Sequence, residues 1–225
     1  MTDPIERHAL TAGTRNARSR RATMLETWLD TAPPKARGSL EVYVRDGPNP
    51  AIATAGHAVR HRRNGAWKSP DRSTGPLALE VARLADCRAL ISTAPAYEDA
   101  NYDDTSRFKD WLARLVRDRA GLVLDIHGMK DAPADIVMGT AGGLTPAGLV
   151  ETAIDAATRL GLTAIVAHTG HLGAERPSTI TSFCLRELGV PAVQLELAPR
   201  LRDPDQDPDR FDRTCQFLAQ VAQWT

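Results

Sequence analysis

The chain has 225 residues, 42% hydrophobic and 25% charged, with 28 basic against 28 acidic side chains and a formal net charge of zero. That length suits one domain, and those proportions exclude a disordered or fibrous chain and give no overall basic field for nucleic acid. The three cysteines, Cys87, Cys184 and Cys215, are too widely spaced for a disulfide framework or a cysteine zinc site, and no apolar run approaches the ~20 residues of a membrane span.

The opening MTDPIERHALTAG has no apolar stretch of the kind a secretory signal carries, so the expected compartment is the reducing cytoplasm. Arg15, Arg18, Arg20 and Arg21 then form a small basic cluster ahead of the helix-like ATMLETWLD, which breaks at Pro33 and Pro34. Residues 1–36 read as a basic helical arm packed on its own domain or on a neighbouring subunit, and 37–225 as the domain proper. From there seven short apolar runs recur: LEVYV, AIATA, ALIST, GLVLDI, DIVMGT, TAIVAH and PAVQLEL. Helical spacing falls between several of them. TGPLALEVARLAD puts Leu77, Val81 and Leu84 on one face, and SRFKDWLARLVRD does the same with Phe108, Leu112 and Leu115. TPAGLVETAIDAATRLG offers Thr145 as N-cap, Pro146 at the first helical position and Gly161 past the end. PSTITSFCLRELG and DPDRFDRTCQFLAQVAQW follow the same logic, and the Asp/Pro/Arg stretch at 202–210 reads as a surface connection. Alternation of this kind predicts a single α/β domain with a mainly parallel central sheet flanked by helices.

In such sheets the ligand site lies beyond the carboxyl ends of the strands. Three runs end on chemistry there: AIATA leads into His57, GLVLDI into His127, and PAVQL into Glu196. Two histidines and a carboxylate converging on one point suit zinc, and glycines beside both histidines allow close approach. For a third ligand the residues offer Asp71, which could equally cap the helix that follows, and Glu80, which lies inside that helix and could face solvent. Asp125 could orient a histidine or serve the fold. His168 and His171 form a loop pair, His61 reads as surface, His8 lies in the arm, and Cys184 reads as core.

The order of GHAVRHRRNG, SPDRSTGPLALEVARL, EDANYD, LVLDIHGM, DIVMGT and ERPSTITSFCLRELGVPAVQLEL resembles the N-formylglutamate amidohydrolase family, zinc hydrolases of carboxypeptidase-like fold. The resemblance runs from about residue 50 to about residue 200 and leaves out the arm. It implies that His57, Asp71 and His127 bind Zn2+, that Glu196 acts as general base and proton shuttle, and that a zinc-activated water attacks an N-formyl or N-acyl amide. It further implies arginines that receive a substrate carboxylate, for which Arg176 and Arg72 are the candidates. Asn101 matches the family pattern but the arginine expected beside it is missing, and Arg107 is the candidate substitute.

The implied partner is a small carboxylate or amide substrate, with no membrane, and a homo-oligomer is left open. Two further readings stand beside this one: a hydrolase of the same scaffold acting on a peptide or a specialised metabolite, and a non-catalytic small-molecule-binding protein on a decayed hydrolase scaffold. A nucleic-acid-linked deacylase using the basic arm is disfavoured by the zero net charge.

Overall fold

The structure is a computed structural model that describes residues 15–34, 36, 40–118, 121–130 and 133–224. His8 and the MTDPIERHALTAG opening lie outside the described residues. All seven apolar runs become strands of one sheet: β1 (Val42–Arg45), β2 (Asn49–Ala55), β5 (Cys87–Ser92), β6 (Val123–Gly128), β7 (Ile136–Gly139), β8 (Ala164–Ala167) and β9 (Ala192–Leu197). Their order across the sheet is β1-β5-β2-β6-β9-β7-β8. Four neighbouring pairs are parallel, and the β1–β5 and β7–β9 pairs are antiparallel. A separate hairpin, β3 (His61–Arg63) and β4 (Ala66–Lys68), turns at Asn64-Gly65, both at positive φ. An Asn-Gly pair is the sequence that a two-residue hairpin of this hand requires.

Helices cover both faces. Helix α1 (Arg15–Thr31), α2 (Thr74–Leu84), α4 (Ala147–Arg159) and α7 (Pro208–Val221) share one side. Helix α3 (Arg107–Asp118) and the short α5 (Ile180–Phe183), which continues as a π turn over Cys184–Leu188, take the other. A single turn, α6 (Pro199–Arg202), follows β9. Leu77 and Val81 of α2 are fully buried, whereas Leu84, expected on the same face, is 39% exposed at the helix end. The cap of α4 is Pro146 rather than Thr145, whose hydroxyl instead donates to the Ala192 carbonyl at 2.8 Å. Gly161 does end that helix, at φ 67°. Cys87, Cys184 and Cys215 are all buried.

Two arginines of the arm's basic cluster are neutralised within the fold. Arg21 forks onto Glu80 at 2.7 and 3.0 Å, Arg83 reaches the same carboxylate at 2.6 Å, and Arg18 pairs with Asp212. Glu80 is therefore 2% exposed and ion-paired, against the expectation that it faces solvent. A carboxylate that deep needs such partners.

Two features place the site. First, the chain leaves β2 for β5 on one side of it and returns to β6 on the other, so the connections diverge at β2 and open a crevice at its carboxyl end. Second, the side-chain alternation on the α3/α5 face turns polar along each strand. Val123 is followed two residues on by Asp125 and then His127, Ala192 by Gln194 and Glu196, and Ile52 by Thr54.

Candidate metal centre

The residues that end β2 and β6 meet in that crevice. His57 follows β2, Asp71 lies in the turn that enters α2, and His127 belongs to β6. His127 Nδ1 stands 3.0 Å from Asp71 Oδ2, and His57 Nδ1 stands 3.5 Å from the same oxygen. One donor atom from each of the three lies within 4.8 Å of the others. Ligands held 2.0–2.2 Å from a tetrahedral zinc ion stand about 3.4 Å apart, so the donor set fits that metal. The backbone ties two of the three together, since the Asp71 N–H donates to the His57 carbonyl at 2.9 Å.

Each imidazole is backed on its far nitrogen. His57 Nε2 meets Asp99 Oδ1 at 2.7 Å, and Asp99 is fully buried. His127 Nε2 stands 3.2 Å from Asp125 Oδ1, another fully buried carboxylate, which also accepts from Thr54 Oγ1 at 3.1 Å. Carboxylates in this position fix ring orientation and raise the basicity of the metal-facing nitrogen. Asn101 completes the arrangement. Its Oδ1 accepts the Ile180 N–H at 2.6 Å, which leaves its amide nitrogen facing His127 Nε2, also at 2.6 Å. Asn101 offers a proton to that nitrogen and Asp125 asks for one from it. A cation on Nδ1 keeps the proton on Nε2 and favours Asp125.

His57, His61 and Asp99 form a second group with metal-ligand spacing. Asp99 is already engaged there: it accepts from Arg63 Nε at 2.6 Å and from the Asn101 N–H at 3.0 Å besides His57, and His61 Nε2 stands 3.4 Å from the oxygen that Arg63 holds. The guanidinium beside it opposes a second cation. His61 is 4% exposed and stacks on His57 with ring centroids 3.9 Å apart, so its expected surface position is corrected. Burial, reinforced by the neighbouring His57, pushes His61 down to about 4, which keeps its ring neutral.

The electrostatics follow the same geometry. Burial alone would lower His57 and raise Asp71 and Asp99, but their mutual hydrogen bonds win: His57 is raised and both carboxylates fall well below the usual range. His127 is likewise raised against its burial, chiefly by Asp125. Glu196 is paired in register with His127 across β6 and β9. Burial pushes it up to about 7, with Asp71 and Asp125 adding to the rise and His127 opposing it. Glu196 accepts the Gln194 side-chain amide at 3.1 Å and forms no bridge to Arg200 or Arg202. Arg200 reaches Asp135 at 2.7 Å, and Arg202 donates to the carbonyls of Leu197, Met129 and Arg72.

The centre opens into a cleft of ≈ 840 Å³. His57, His61 and Asp71 line it on one side, with Trp67 of the hairpin and Arg202 of α6. The helical arm forms another wall through Thr23, Glu26, Thr27 and Asp30. Asp203, Pro204 and Asp205 also line it, so part of the 202–210 stretch borders the site instead of merely connecting elements.

The expected substrate-binding residues fare unevenly. Arg72 lines the cleft but is tied to Asp30, with Glu26 3.9 Å from its Nε. Asn101 is 9% exposed, with its oxygen held by the Ile180 N–H and its amide nitrogen against His127, so its side chain does not face the cleft. Arg176 is exposed and lies over the Tyr102 ring, 4.2 Å from its centroid, and does not line the cleft as expected. Arg107 is exposed at the first residue of α3, also off the cleft. His168, whose Nδ1 meets Thr140 Oγ1 at 2.7 Å, and His171 are exposed and outside the donor groups. Sequence reasoning missed Asp99, Arg63, Arg202 and Glu26. Asp99 carried a signal, standing two residues before Asn101 in EDANYD; the others have none outside the fold.

No family model and no curated protein matches the chain. Solved structures do. A bacteriophage poly-gamma-glutamate hydrolase superposes with a TM-score of 0.56 at 16% identity, covering 83% of this chain and 90% of its own. N-formylglutamate amidohydrolase from Ralstonia eutropha JMP134 gives 0.57 at 12% identity, covering 82% and 97%. YndL in a zinc-free form gives 0.52 at 12% identity, covering 84% and 92%. The fold expected from the sequence motifs is therefore the fold observed: this chain has the architecture shared by N-formylglutamate amidohydrolase and the phage poly-gamma-glutamate hydrolase.

Proposed function

We propose that this chain is a zinc-dependent hydrolase that cleaves an N-formyl or N-acyl amide bond of a small amino-acid-like substrate. One observation carries the reading. His57, Asp71 and His127 present their donor atoms together at the carboxyl end of the central strands, each imidazole backed by a buried carboxylate, with Glu196 in register beside His127.

Bound there, zinc would polarise the scissile carbonyl and bring the pKa of water to about 7. Asp99 and Asp125 hold the two imidazoles in the tautomer that leaves Nδ1 free. Glu196, held near 7 by its burial, takes the proton of the attacking water and passes it to the leaving nitrogen. The oxygen of that water ends in the released acid, and the C–N bond breaks to give the amine. Arg63 lines the cleft with its Nε held by Asp99, and its outer guanidinium nitrogens are the group we assign to a substrate carboxylate, in place of Arg176 and Arg107; Arg72 lines the cleft as well. A guanidinium fork gives such a contact its orientation.

A second reading, a hydrolase of this scaffold acting on a peptide, is supported by the cleft itself. At ≈ 840 Å³ it approaches the upper end of small-ligand sites, ~1,000 Å³, and one fold neighbour is a poly-gamma-glutamate hydrolase.

Metal analysis of the purified protein, followed by an amide-substrate screen with and without chelator, tests the proposal. One zinc per chain and chelator-sensitive release of amine are expected. A protein without zinc after growth and dialysis in zinc would overturn it. Faster turnover of γ-glutamyl peptides than of N-acyl amino acids would select the second reading.

A further inference from the structure

We infer that helix α1 is part of the site, and that Glu26 is a positioning residue for the turn that carries Asp71; the inference rests on the reading of Asp71 as a metal ligand. Ser73, two residues after Asp71, has φ 64° and ψ 4°. This left-handed conformation is unfavourable for a side chain with a Cβ and persists only where surroundings over-determine it. Ser73 is 7% exposed, so water does not supply its partner. Its N–H donates instead to Glu26 Oε2 at 2.9 Å, across 47 residues of chain.

The rest of the turn is held from the same side. Arg72 pairs with Asp30, one helical turn beyond Glu26, and its carbonyl accepts from Arg202 Nη1. The Asp71 carbonyl accepts from Thr74 Oγ1 at 2.7 Å. What then fixes α1 is a separate set of contacts. Arg18 and Arg21 pair with Asp212 and Glu80, and Leu29 packs on Gly75. A Cβ at Gly75 would lie 2.9 Å from Leu29 Cδ1 and 3.0 Å from Ala58 Cβ, so the bare glycine leaves the room that Leu29 fills. The basic arm is thus a bolt, and its acidic residues face the turn that carries the ligand. Because Glu26 and Asp30 also line the cleft, α1 limits the space beside Asp71 as well as the direction in which Asp71 points.

The experiment is zinc affinity by competition with a chromophoric chelator, on the full chain, alongside thermal unfolding of the metal-free forms. Glu26→Ala is expected to weaken zinc binding about 10-fold, the low end of the range for a direct partner of a ligand, because Glu26 acts through the backbone of Ser73. Glu26→Gln keeps an oxygen acceptor for the Ser73 N–H and is expected to retain most of the affinity. The decisive variant is Ser73→Gly added to Glu26→Ala. Glycine adopts φ 64° without strain, so the turn no longer needs its clamp and zinc affinity is expected to recover. If Glu26→Ala does not fold, Glu26→Asp, one methylene short of Ser73, takes its place. Undiminished zinc affinity in Glu26→Ala or Glu26→Asp, with only the metal-free melting temperature lowered, would overturn the inference and leave the metal reading standing. Failure of Ser73→Gly to restore affinity would overturn it as well. A wild-type protein that binds no zinc would sink both.

Discussion

Asp99 Oδ1 lies 2.7 Å from His57 Nε2, and that contact decides which nitrogen of His57 is free. The carboxylate is fully buried and is itself held by Arg63 at 2.6 Å. Asp99→Asn keeps the shape and loses the charge. It is expected to weaken zinc binding about 10- to 100-fold while the protein stays folded. Chelator competition and circular dichroism check this. An unchanged affinity would reduce Asp99 to a structural anchor for the loop after β5.

Glu196→Gln separates proton transfer from metal binding. The register of β9 on β6 puts Glu196 beside His127, yet it is not one of the three grouped donors. Turnover on a verified substrate is expected to fall about 10²- to 10⁴-fold with zinc stoichiometry unchanged. Loss of zinc would make Glu196 a ligand, and near-normal turnover would remove it from the mechanism.

Gly128 closes β6 against the Arg202 guanidinium. A Cβ there would lie 2.5 Å from Arg202 Cζ, and that guanidinium is buried and donates to three backbone carbonyls. Gly128→Ala therefore either displaces Arg202 from its acceptors or shifts the strand end. A destabilisation of about 1–3 kcal/mol is expected, read from urea unfolding of the metal-free protein. Gly65→Ala, in open space at the hairpin tip, meets no atom within 4 Å and is the steric control, its penalty coming from φ 79° alone.

The pH dependence of stability should reverse when metal is bound. Burial raises Glu26 and Glu196 to about 7 from an ordinary 4.5. The folded chain then holds more protons than the unfolded chain between those values, so stability falls as pH rises through that window. His57 and His127, also raised, contribute stability that is present below their unfolded value and lost as pH rises through the folded one. Asp71 and Asp99 act oppositely: their depressed values contribute stability above about pH 4 that is lost on acidification. The metal-free protein should be most stable near pH 5 and lose stability toward pH 8, by on the order of 3 kcal/mol for Glu26 alone. Glu26→Gln should flatten that slope. Zinc requires deprotonated ligands, so the loaded protein should gain stability over the same range. Urea unfolding at pH 5 and pH 8, with and without zinc, decides it. Metal-free stability that rises from pH 5 to pH 8 would contradict the reading.

Much of this molecule could be read along the chain. Runs such as AIATA and GLVLDI are strands because their β-branched and small residues fit a sheet buried on both faces. His57, His127 and Glu196 were visible as polar residues closing apolar runs, a signal that survives without any knowledge of neighbours. The order of the sheet was not visible, nor were its two antiparallel pairings, because strand pairing joins segments far apart in sequence. The same limit explains the errors at the site. Arg176 stands in a suitable motif, yet packs over Tyr102 instead of facing the cleft. His61 looked like a surface residue amid arginines, yet stacks on His57. Glu26 sits on a helix whose own pattern is polar, and what brings it to Ser73 is the tertiary anchoring of that helix, by Arg18 on Asp212, Arg21 on Glu80 and Leu29 on Gly75. Local sequence therefore determined the elements and the residues able to do chemistry, because backbone propensity and periodicity are properties of a few consecutive residues. The tertiary structure alone decided which of those residues share one point in space, because burial, ion pairing and ring contacts depend on how the chain folds back on itself, whether the groups are four residues apart, as His57 and His61 are, or dozens, as Glu26 and Ser73 are.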